Sequence, residues 1–321
     1  MDQRPDLEAI DQALQHIRES IHRTPVLTCS TIDQKVGAQL FFKCENFQKS
    51  GSFKFRGATH AVLSLDESQA SRGVLTHSSG NYAAALALAA RNRGIPAYIV
   101  MPSNAPSVKQ AAAKEYGGEI TVCEPTMSAR EERAAEIQER TGASLIHTFN
   151  NPHNICGYGT AAFELLEEVP ELEVILTPTG GGGLLSGTLI AAKGLKPDIQ
   201  VMGAEPAGAD DAYRSWKAGK RIALEQAHTI ADGLRTSLGE KTFPIIKELV
   251  DAIVLTSEEA IMEAMWLVLE RMKIVVEPSA VVPLAVLLEQ KVNLAGRKVG
   301  IILSGGNVDL EACLSHSLDD A

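Results

Sequence analysis

Paired cysteines of the kind that bind zinc are missing from this sequence of 321 residues. Its five cysteines are scattered without CxxC spacing, so the sequence indicates neither a zinc site nor a disulfide framework. No stretch approaches the roughly 20 apolar residues of a membrane span, and the first six residues contain no apolar signal core. We therefore expect a cytoplasmic protein with reduced thiols and no membrane partner.

Basic clusters are missing as well. The formal net charge is −10, and no basic stripe is present that would displace counterions from nucleic-acid phosphates. The sequence also lacks internal repeats and low-complexity linkers. Its composition is typical of a soluble globular protein, and its length suggests one large domain or two of medium size. We expect no nucleic-acid partner.

The order of apolar segments predicts an α/β fold with two lobes, each with a parallel sheet flanked by helices. An N-terminal amphipathic helix is indicated by apolar residues at helical spacing, namely Leu7, Ile10, Leu14, Ile17 and Ile21. Strands are predicted at 73–77, 97–101, 120–123, 144–147, 174–176, 201–204, 253–255 and 299–303. Because these strands alternate with helices, we expect two parallel sheets with a ligand cleft between them. We assign 71–149 to a small domain, and 1–70 together with 150–321 to a large domain.

Lys54 stands between two aromatic residues, Phe53 and Phe55, in a segment that also carries small hydroxyl residues. An amine in apolar surroundings is the group with which enzymes form Schiff bases. Taken alone, Lys54 fits a solvated surface lysine better, since charged side chains are mostly exposed. A second motif is needed to favour the catalytic interpretation.

That second motif is a glycine run after an apolar strand, made up of Gly180, Gly181, Gly182 and Gly183. Backbone N–H groups at such a helix start hold phosphate, and a mobile linker is the alternative. The spacing does not fit a dinucleotide fingerprint, because Ser186 stands where Gly or Ala is needed, and no Walker-type Gly-Lys-Ser is present. A lysine for an aldehyde and a phosphate cradle together suggest pyridoxal phosphate.

Two further turns follow predicted strands. The first consists of Ser78, Ser79, Gly80 and Asn81, and precedes an alanine-rich helix. It is either an ordinary helix cap or a site where the helix N-terminus receives a substrate carboxylate and Asn81 bonds a ring hydroxyl. In the second turn, Ser304 is either a plain turn residue or a hydrogen-bond partner of a pyridine nitrogen.

Three carboxylates, Glu205, Asp210 and Asp211, lie in a short turn after another strand. Oxygen ligands of this kind suit Mg²⁺, Ca²⁺ or Mn²⁺. Surface acids in a turn are the commoner explanation of such a cluster. The residues alone leave this site undecided.

Six motifs occur in order along the chain: Ser52-Phe53-Lys54-x-Arg56-Gly57, Ser78-Ser79-Gly80-Asn81, the glycine run, Glu205-Pro206, Asp232-Gly233 and Ser304-Gly305-Gly306-Asn307. With them the chain resembles serine/threonine dehydratases and serine racemase, which are fold-type II pyridoxal phosphate enzymes with a tryptophan synthase beta-like architecture. The resemblance covers nearly the whole chain. It implies that the large domain binds the cofactor.

The resemblance also implies a role for each matching residue. Lys54 carries the cofactor as a Schiff base and takes the α-proton of the substrate, while Ser79 exchanges a proton on the opposite face. The other cofactor contacts are Phe53 and Gly233 beside the ring, Asn81 at the ring hydroxyl, Ser304 at the pyridine nitrogen, and Gly180, Gly181, Gly182, Gly183 and Leu184 at the phosphate. A divalent cation, Mg²⁺, Mn²⁺ or Ca²⁺, is expected on Glu205, the Ala209 carbonyl and Asp211. We also expect a homodimer.

Two segments depart from the family pattern. Tyr82 stands where the family usually has His, and Cys156-Gly157-Tyr158-Gly159 replaces the common Ala-Gly-Gln-Gly. Arg130 matches an arginine of serine racemase and hydroxyaspartate dehydratase relatives. The alternative is that Arg130 is only a charged residue on the surface of a helix. We include Ser78, Ser79, Gly80, Asn81, Tyr82 and Arg130 in the predicted substrate site.

The predicted reaction is removal of water from a β-hydroxy amino acid such as L-serine or L-threonine, which gives a 2-keto acid and ammonia. A single hydrogen bond from serine at the pyridine nitrogen favours elimination over transamination, and serine racemisation is a plausible side activity. The alternatives are a 3-hydroxyaspartate dehydratase, a sulfhydrylase of the same fold, and a non-enzymatic phosphate- or nucleotide-binding module. The sequence does not rank the β-hydroxy amino acids.

Overall fold

The computed structural model describes residues 4–78 and 80–309. Strands in these ranges form two separate sheets, of six and four strands. The strands are β1 (Val26–Leu27), β2 (Gln39–Cys44), β3 (Val74–His77), β4 (Ala97–Pro102), β5 (Glu119–Cys123), β6 (Ser144–Leu145), β7 (Val174–Pro178), β8 (Gln200–Pro206), β9 (Ala252–Thr256) and β10 (Lys298–Leu303). The strand orders are β1-β2-β10-β7-β8-β9 and β5-β4-β3-β6.

Helices connect the strands. They are α1 (Leu7–Ile17), α2 (Ser30–Val36), α3 (Lys54–Leu63), α4 (Glu67–Arg72), α5 (Asn81–Arg93), α6 (Ser107–Glu115), α7 (Met127–Thr141), α8 (Pro152–Glu168), α9 (Gly183–Leu195), α10 (Asp211–Ala218), α11 (Thr242–Leu249), α12 (Glu258–Met272) and α13 (Pro278–Leu288). Within the described ranges, no helix has both the length and the apolar character that crossing a bilayer requires.

The six-stranded sheet is covered by helices on both faces. Alternate residues of β7 enter different cores: Ile175 packs in one with Leu189 of α9, and Leu176 packs in the other with Val282 of α13. Strands buried on both faces are apolar throughout, which is why β7, β8 and β10 read as continuous apolar segments. We call this sheet with its helices the large lobe.

The eight predicted strands are all present, which confirms the α/β class with two sheets. The four-stranded sheet is entirely parallel, and we call it with its helices the small lobe. The large sheet differs in two ways, because the sequence analysis did not identify β2, which pairs with β10 in parallel, or β1, which pairs with β2 antiparallel. The domain boundaries at 70/71 and 149/150 stay predictions.

The first helix is shorter than its apolar spacing suggests. It ends at Ile17, and the Ser20 N–H bonds the Ile17 carbonyl only three residues back at 2.8 Å. This tighter turn closes the regular helix. Ile21 is buried although it lies beyond the helix end.

A buried group of charged side chains joins α3 to the large sheet. Arg56 Nε donates to Glu45 Oε2 at 2.7 Å, and its two terminal nitrogens donate to the Glu164 carboxylate at 2.8 Å each. Lys43 Nζ donates to Glu164 Oε2 at 2.7 Å. The four side chains are 0–2% exposed. Two cations and two anions balance, so charge pairing offsets the cost of burial.

We predict that Glu164→Gln destabilises the protein strongly, because it leaves Arg56 and Lys43 with one buried anion between them. Breaking a buried pair costs about 3–5 kcal/mol of unfolding free energy. Urea denaturation followed by circular dichroism measures the effect. The control is Glu167→Gln on the same helix, whose exposed pair with Arg23 is worth about 0–1 kcal/mol. Equal losses in the two variants would contradict the prediction.

Candidate active site

The carboxyl ends of strands from both sheets open into one cleft of about 210 Å³. Ligands of α/β proteins bind at such strand ends. The cleft is lined by these predicted site residues: Phe53, Lys54, Ser78, Gly80, Asn81, Tyr82, Arg130, Gly180, Gly181, Gly182, Gly183, Leu184, Gly233 and Ser304. Ser79 lies outside the described residues. The structure therefore brings the residues of both lobes into one site.

Lys54 is the first residue of α3, and its amine is largely removed from water. The amine lies 4.5 Å from the centre of the Phe53 ring and 5.2 Å from that of Tyr158. No hydrogen bond or ion pair joins Nζ to the residues that the structure describes. Burial lowers the pKa of Lys54 to about 8, against a smaller opposing effect of the Glu277 carboxylate. Such an amine is partly neutral near physiological pH and can accept a proton or attack an aldehyde.

The glycine loop begins directly after β7 and continues into α9. The N–H groups from Gly180 to Leu184 donate to no acceptor within the described residues. Gly182 has a φ of +83°, and a Cβ at Gly181 would lie 2.4 Å from the Phe149 ring. Thr242 Oγ1 donates to the Gly181 carbonyl at 2.8 Å and fixes the loop. Free N–H groups at a helix start fit a phosphate ester.

Asn81 begins α5, and its amide orientation is fixed from two sides. Nδ2 donates to Glu277 Oε1 at 2.7 Å, and Asn307 Nδ2 donates to Asn81 Oδ1 at 3.2 Å. Because Nδ2 carries two hydrogens, one stays available for a ring hydroxyl oxygen in the cleft. A Cβ at Gly305 would lie 2.5 Å from Glu277 Oε1, so a glycine there lets the carboxylate approach.

Ser304 and Gly233 lie in the same cleft. The Ser304 carbonyl accepts from the Phe53 N–H at 3.0 Å, while its hydroxyl has no hydrogen bond to the described residues. That hydroxyl is available to a ring nitrogen. Gly233 lies in a 3₁₀ turn, Asp232–Leu234, and its N–H donates to Ser279 Oγ at 3.0 Å. The donor set of the cleft thus fits phosphate, ring hydroxyl and pyridine nitrogen.

Both tyrosines that depart from the family pattern are buried, and Tyr82 lines the cleft. The Tyr82 hydroxyl accepts from Asn154 Nδ2 at 2.8 Å, and burial raises the pKa of Tyr82. The Tyr158 hydroxyl donates to the Thr148 carbonyl at 2.6 Å. A Cβ at Gly57 would lie 2.3 Å from the Tyr158 ring. The Tyr158 ring therefore packs directly onto α3, the helix that carries Lys54.

Arg130 lies on α7, at the small-lobe side of the cleft. Its Nε is buried and has no hydrogen-bond partner within the described part of the chain. Its positive charge contributes to lowering the pKa of His77, although burial is the larger cause. A buried guanidinium nitrogen without a partner is unfavourable unless a ligand supplies an acceptor.

The sequence analysis did not identify as site residues four charged side chains that line the cleft: Lys109, Asp232, Arg235 and Glu277. Glu277 is 3% exposed, and burial raises its pKa to about 7. Glu277 could have been identified from the sequence, because it is an acid that follows an apolar segment and precedes a proline at a helix start. No comparable indication exists for Lys109, because its helix is alanine-rich and resembles many surface helices.

The predicted cation ligands lie at the end of β8, in the turn that follows it and at the start of α10. The Glu205 oxygens accept the N–H groups of Ala212 and Tyr213 at 2.9 and 2.8 Å, and Asp211 Oδ1 is buried without a partner within the described residues. Burial, with the Asp211 charge next in size, raises the pKa of Glu205. The described residues contain no group of three or more His, Cys, Asp or Glu side chains arranged for a metal. The predicted set has two carboxylates and the Ala209 carbonyl.

Comparison with known proteins identifies the family. The model of the family described as "Pyridoxal-phosphate dependent enzyme" matches residues 17–305. The chain is 51% identical to a serine racemase of Dictyostelium discoideum, over 95% of this chain and 96% of that protein. It is 48% identical to a beta-hydroxyaspartate dehydratase of Paracoccus denitrificans, over 96% and 98%. The structure of maize serine racemase superposes with a TM-score of 0.95 at 47% identity, over 99% of this chain and 98% of the maize chain. The chain therefore belongs to the pyridoxal-phosphate-dependent enzymes, with the fold of serine racemase.

Proposed function

We propose that this protein is a dehydratase that removes water from a β-hydroxy amino acid such as L-serine or L-threonine, with serine racemisation as a side activity. The relatives support this reaction class, since they include serine racemases and a beta-hydroxyaspartate dehydratase. The observation that carries the proposal is the desolvated Lys54 amine, with a pKa of about 8, in the cleft with the glycine loop. The homodimer and the cytoplasmic location stay predictions.

Pyridoxal phosphate, when bound, supplies a conjugated ring that takes up negative charge left on the α-carbon of an amino acid. Residues of the chain itself bind the cofactor, exclude water and transfer the proton. The N–H groups of Gly180 to Leu184 bind the phosphate, the Asn81 Nδ2–H and the Ser304 hydroxyl bind the ring edge, and Phe53 excludes water. Lys54 Nζ holds the proton taken from the α-carbon. Its lowered pKa of about 8 lies near physiological pH, where a general base is most efficient.

Racemisation needs a second proton donor on the face of the substrate opposite Lys54. Ser79 is the predicted donor, and its role rests on the resemblance alone because it lies outside the described residues. Its neighbours Ser78 and Gly80 line the cleft, and the Gly80 N–H approaches Ser78 Oγ at 3.4 Å. The turn thus presents polar groups at the start of α5, where a substrate carboxylate is favoured.

We predict that Lys54→Ala abolishes keto-acid release from serine and threonine, because it removes both the covalent anchor and the α-proton base. Absorbance spectra and mass spectrometry after borohydride reduction should find the cofactor fixed to Lys54 in the wild type and not in Lys54→Ala. Lys114→Ala, an exposed lysine on α6, should retain both signals. Appreciable keto-acid formation by a correctly folded Lys54→Ala variant would contradict the proposal.

A second candidate substrate, 3-hydroxyaspartate, is favoured by Arg130. The buried, unpartnered Nε in the cleft matches the second carboxylate that this substrate has and serine lacks. A charge-assisted hydrogen bond to that carboxylate is worth roughly 1.5–3 kcal/mol, or about 10- to 150-fold in selectivity. The Paracoccus denitrificans relative supports this choice by its name.

We predict that Arg130→Ala lowers kcat/KM for 3-hydroxyaspartate about 10- to 150-fold more than for serine, because only the former loses an ionic partner. Parallel steady-state assays of keto-acid release give the ratio. Arg133→Ala is the matched control, since Arg133 lies on the same helix and pairs with Glu136 at the surface. An unchanged ratio in Arg130→Ala would assign Arg130 to the helix surface.

We also propose a divalent cation, Mg²⁺, Mn²⁺ or Ca²⁺, at Glu205, the Ala209 carbonyl and Asp211. Two adjacent buried carboxylates, one with an unpartnered oxygen, have the donor chemistry of a hard-cation site. None of the three residues lines the cleft that contains Lys54, so the cation would stabilise the fold and would not take part in the reaction.

We predict that EDTA lowers the melting temperature by several degrees and that Mg²⁺, Mn²⁺ or Ca²⁺ restores it. A ligand at 100 times its Kd stabilises the folded state by about 2.7 kcal/mol. Differential scanning fluorimetry of the holoenzyme measures the shift. Asp211→Asn should lose the response, whereas Asp210→Asn should keep it, since Asp210 pairs with Arg214 near the surface. A wild-type melting temperature that is indifferent to chelation and cations would rule out the site.

A further inference from the structure

Lys109 extends from the small lobe to the large lobe across the cleft. It lies on α6, and its side chain is 5% exposed. Its ammonium pairs with Asp232 Oδ2 at 2.5 Å and with Glu277 Oε2 at 3.6 Å. Both acids belong to the large lobe, in the 3₁₀ turn that contains Gly233 and at the start of α13. A buried lysine placed between two acids is more than a solvated surface charge.

The rest of α6 belongs to the small lobe. It packs against α5 and β5, and within the described residues its only hydrogen bonds or ion pairs to the large lobe are those of Lys109. The two lobes also meet where α3 of the large lobe packs along α5. Helix packing can act as a hinge, because it tolerates small sliding movements. Lys109 then joins the lobes at a second place, across the cleft.

The same ammonium is linked to the predicted cofactor contacts. Glu277 Oε1 accepts from Asn81 Nδ2, while Oε2 has Lys109 as its nearest cation and no hydrogen bond within the described residues. The stem of Lys109 lies 3.8 Å from the position that a Cβ on Gly80 would occupy. Lys109 therefore lies beside Gly80 and pairs with the acid that orients Asn81.

We propose that Lys109 is a positioning residue that holds the small lobe closed on the large lobe and so keeps Gly80 and Asn81 in place at the cleft. Its pairing with Asp232 and Glu277 exists only when the lobes are closed. Loss of the ammonium leaves the buried Glu277 and the partly exposed Asp232 without their cation, and the closed state becomes less populated. Substrate binding at saturation still closes the cleft, since the α3–α5 packing and the substrate contacts are unchanged.

The test compares Lys109→Met with Lys109→Arg and with the control Lys114→Met on the exposed face of the same helix. Hydrogen–deuterium exchange of the full chain, with and without pyridoxal phosphate, should be about tenfold faster over α6 and residues 78–81 in Lys109→Met. KM for serine should rise about tenfold with little change in kcat, because the apparent affinity falls with the population of the competent state. Lys109→Arg should restore most of both, and Lys114→Met should resemble the wild type.

A double-variant cycle separates closure from general stability. If Lys109 acts through Asp232, Lys109→Met combined with Asp232→Asn should exchange no faster than the worse single variant. Unchanged exchange over α6 in Lys109→Met, or additive effects in the double variant, would overturn the proposal. The kinetic readout rests on the proposed dehydratase function, whereas the exchange readout does not, so failure of one is distinguishable from failure of the other.

Discussion

The buried pairing of Arg56 with Glu45 and Glu164 is the constraint on which the position of Lys54 depends. Arg56 lies two residues after Lys54 on α3, and its guanidinium is bonded to an acid that follows β2 and to another on α8. Lys54 needs apolar surroundings to lose its proton readily, while Arg56 needs partners to stay charged. The first turn of α3 satisfies both needs, because the two side chains point to different sides of the helix start.

The cofactor end of the cleft is built mainly from backbone geometry. The glycine loop can present free N–H groups only because Gly181 has no Cβ, which would clash with the Phe149 ring. Asn81 has one defined amide orientation because Glu277 and Asn307 occupy its other hydrogen-bonding positions. Groups that are fixed before the ligand arrives need not be ordered on binding, which is the physical meaning of a preorganised site.

The sequence predicted those parts of the molecule whose signal is local. Lys54 and the glycine loop carry their chemistry in a few consecutive residues, and the buried strands of both sheets are short apolar segments. The sequence analysis did not identify β2 because this strand contains a lysine, Lys43, whose partner Glu164 lies 121 residues away along the chain. Lys109 was missed for the same reason, since a solvated helix lysine and a buried one look alike until the partner acid is placed.

The substrate end of the cleft is supported differently from the cofactor end. Arg130 lies on α7 of the small lobe, and its buried Nε has no hydrogen bond to the described residues, which include the proposed cofactor contacts. Tyr82 is anchored through Asn154, at the start of α8, and not through the glycine loop. We therefore expect changes at these positions to alter which substrate side chain fits above Lys54 without loosening the proposed phosphate and ring contacts. Such a separation would allow one cofactor scaffold to serve relatives named for serine and for hydroxyaspartate.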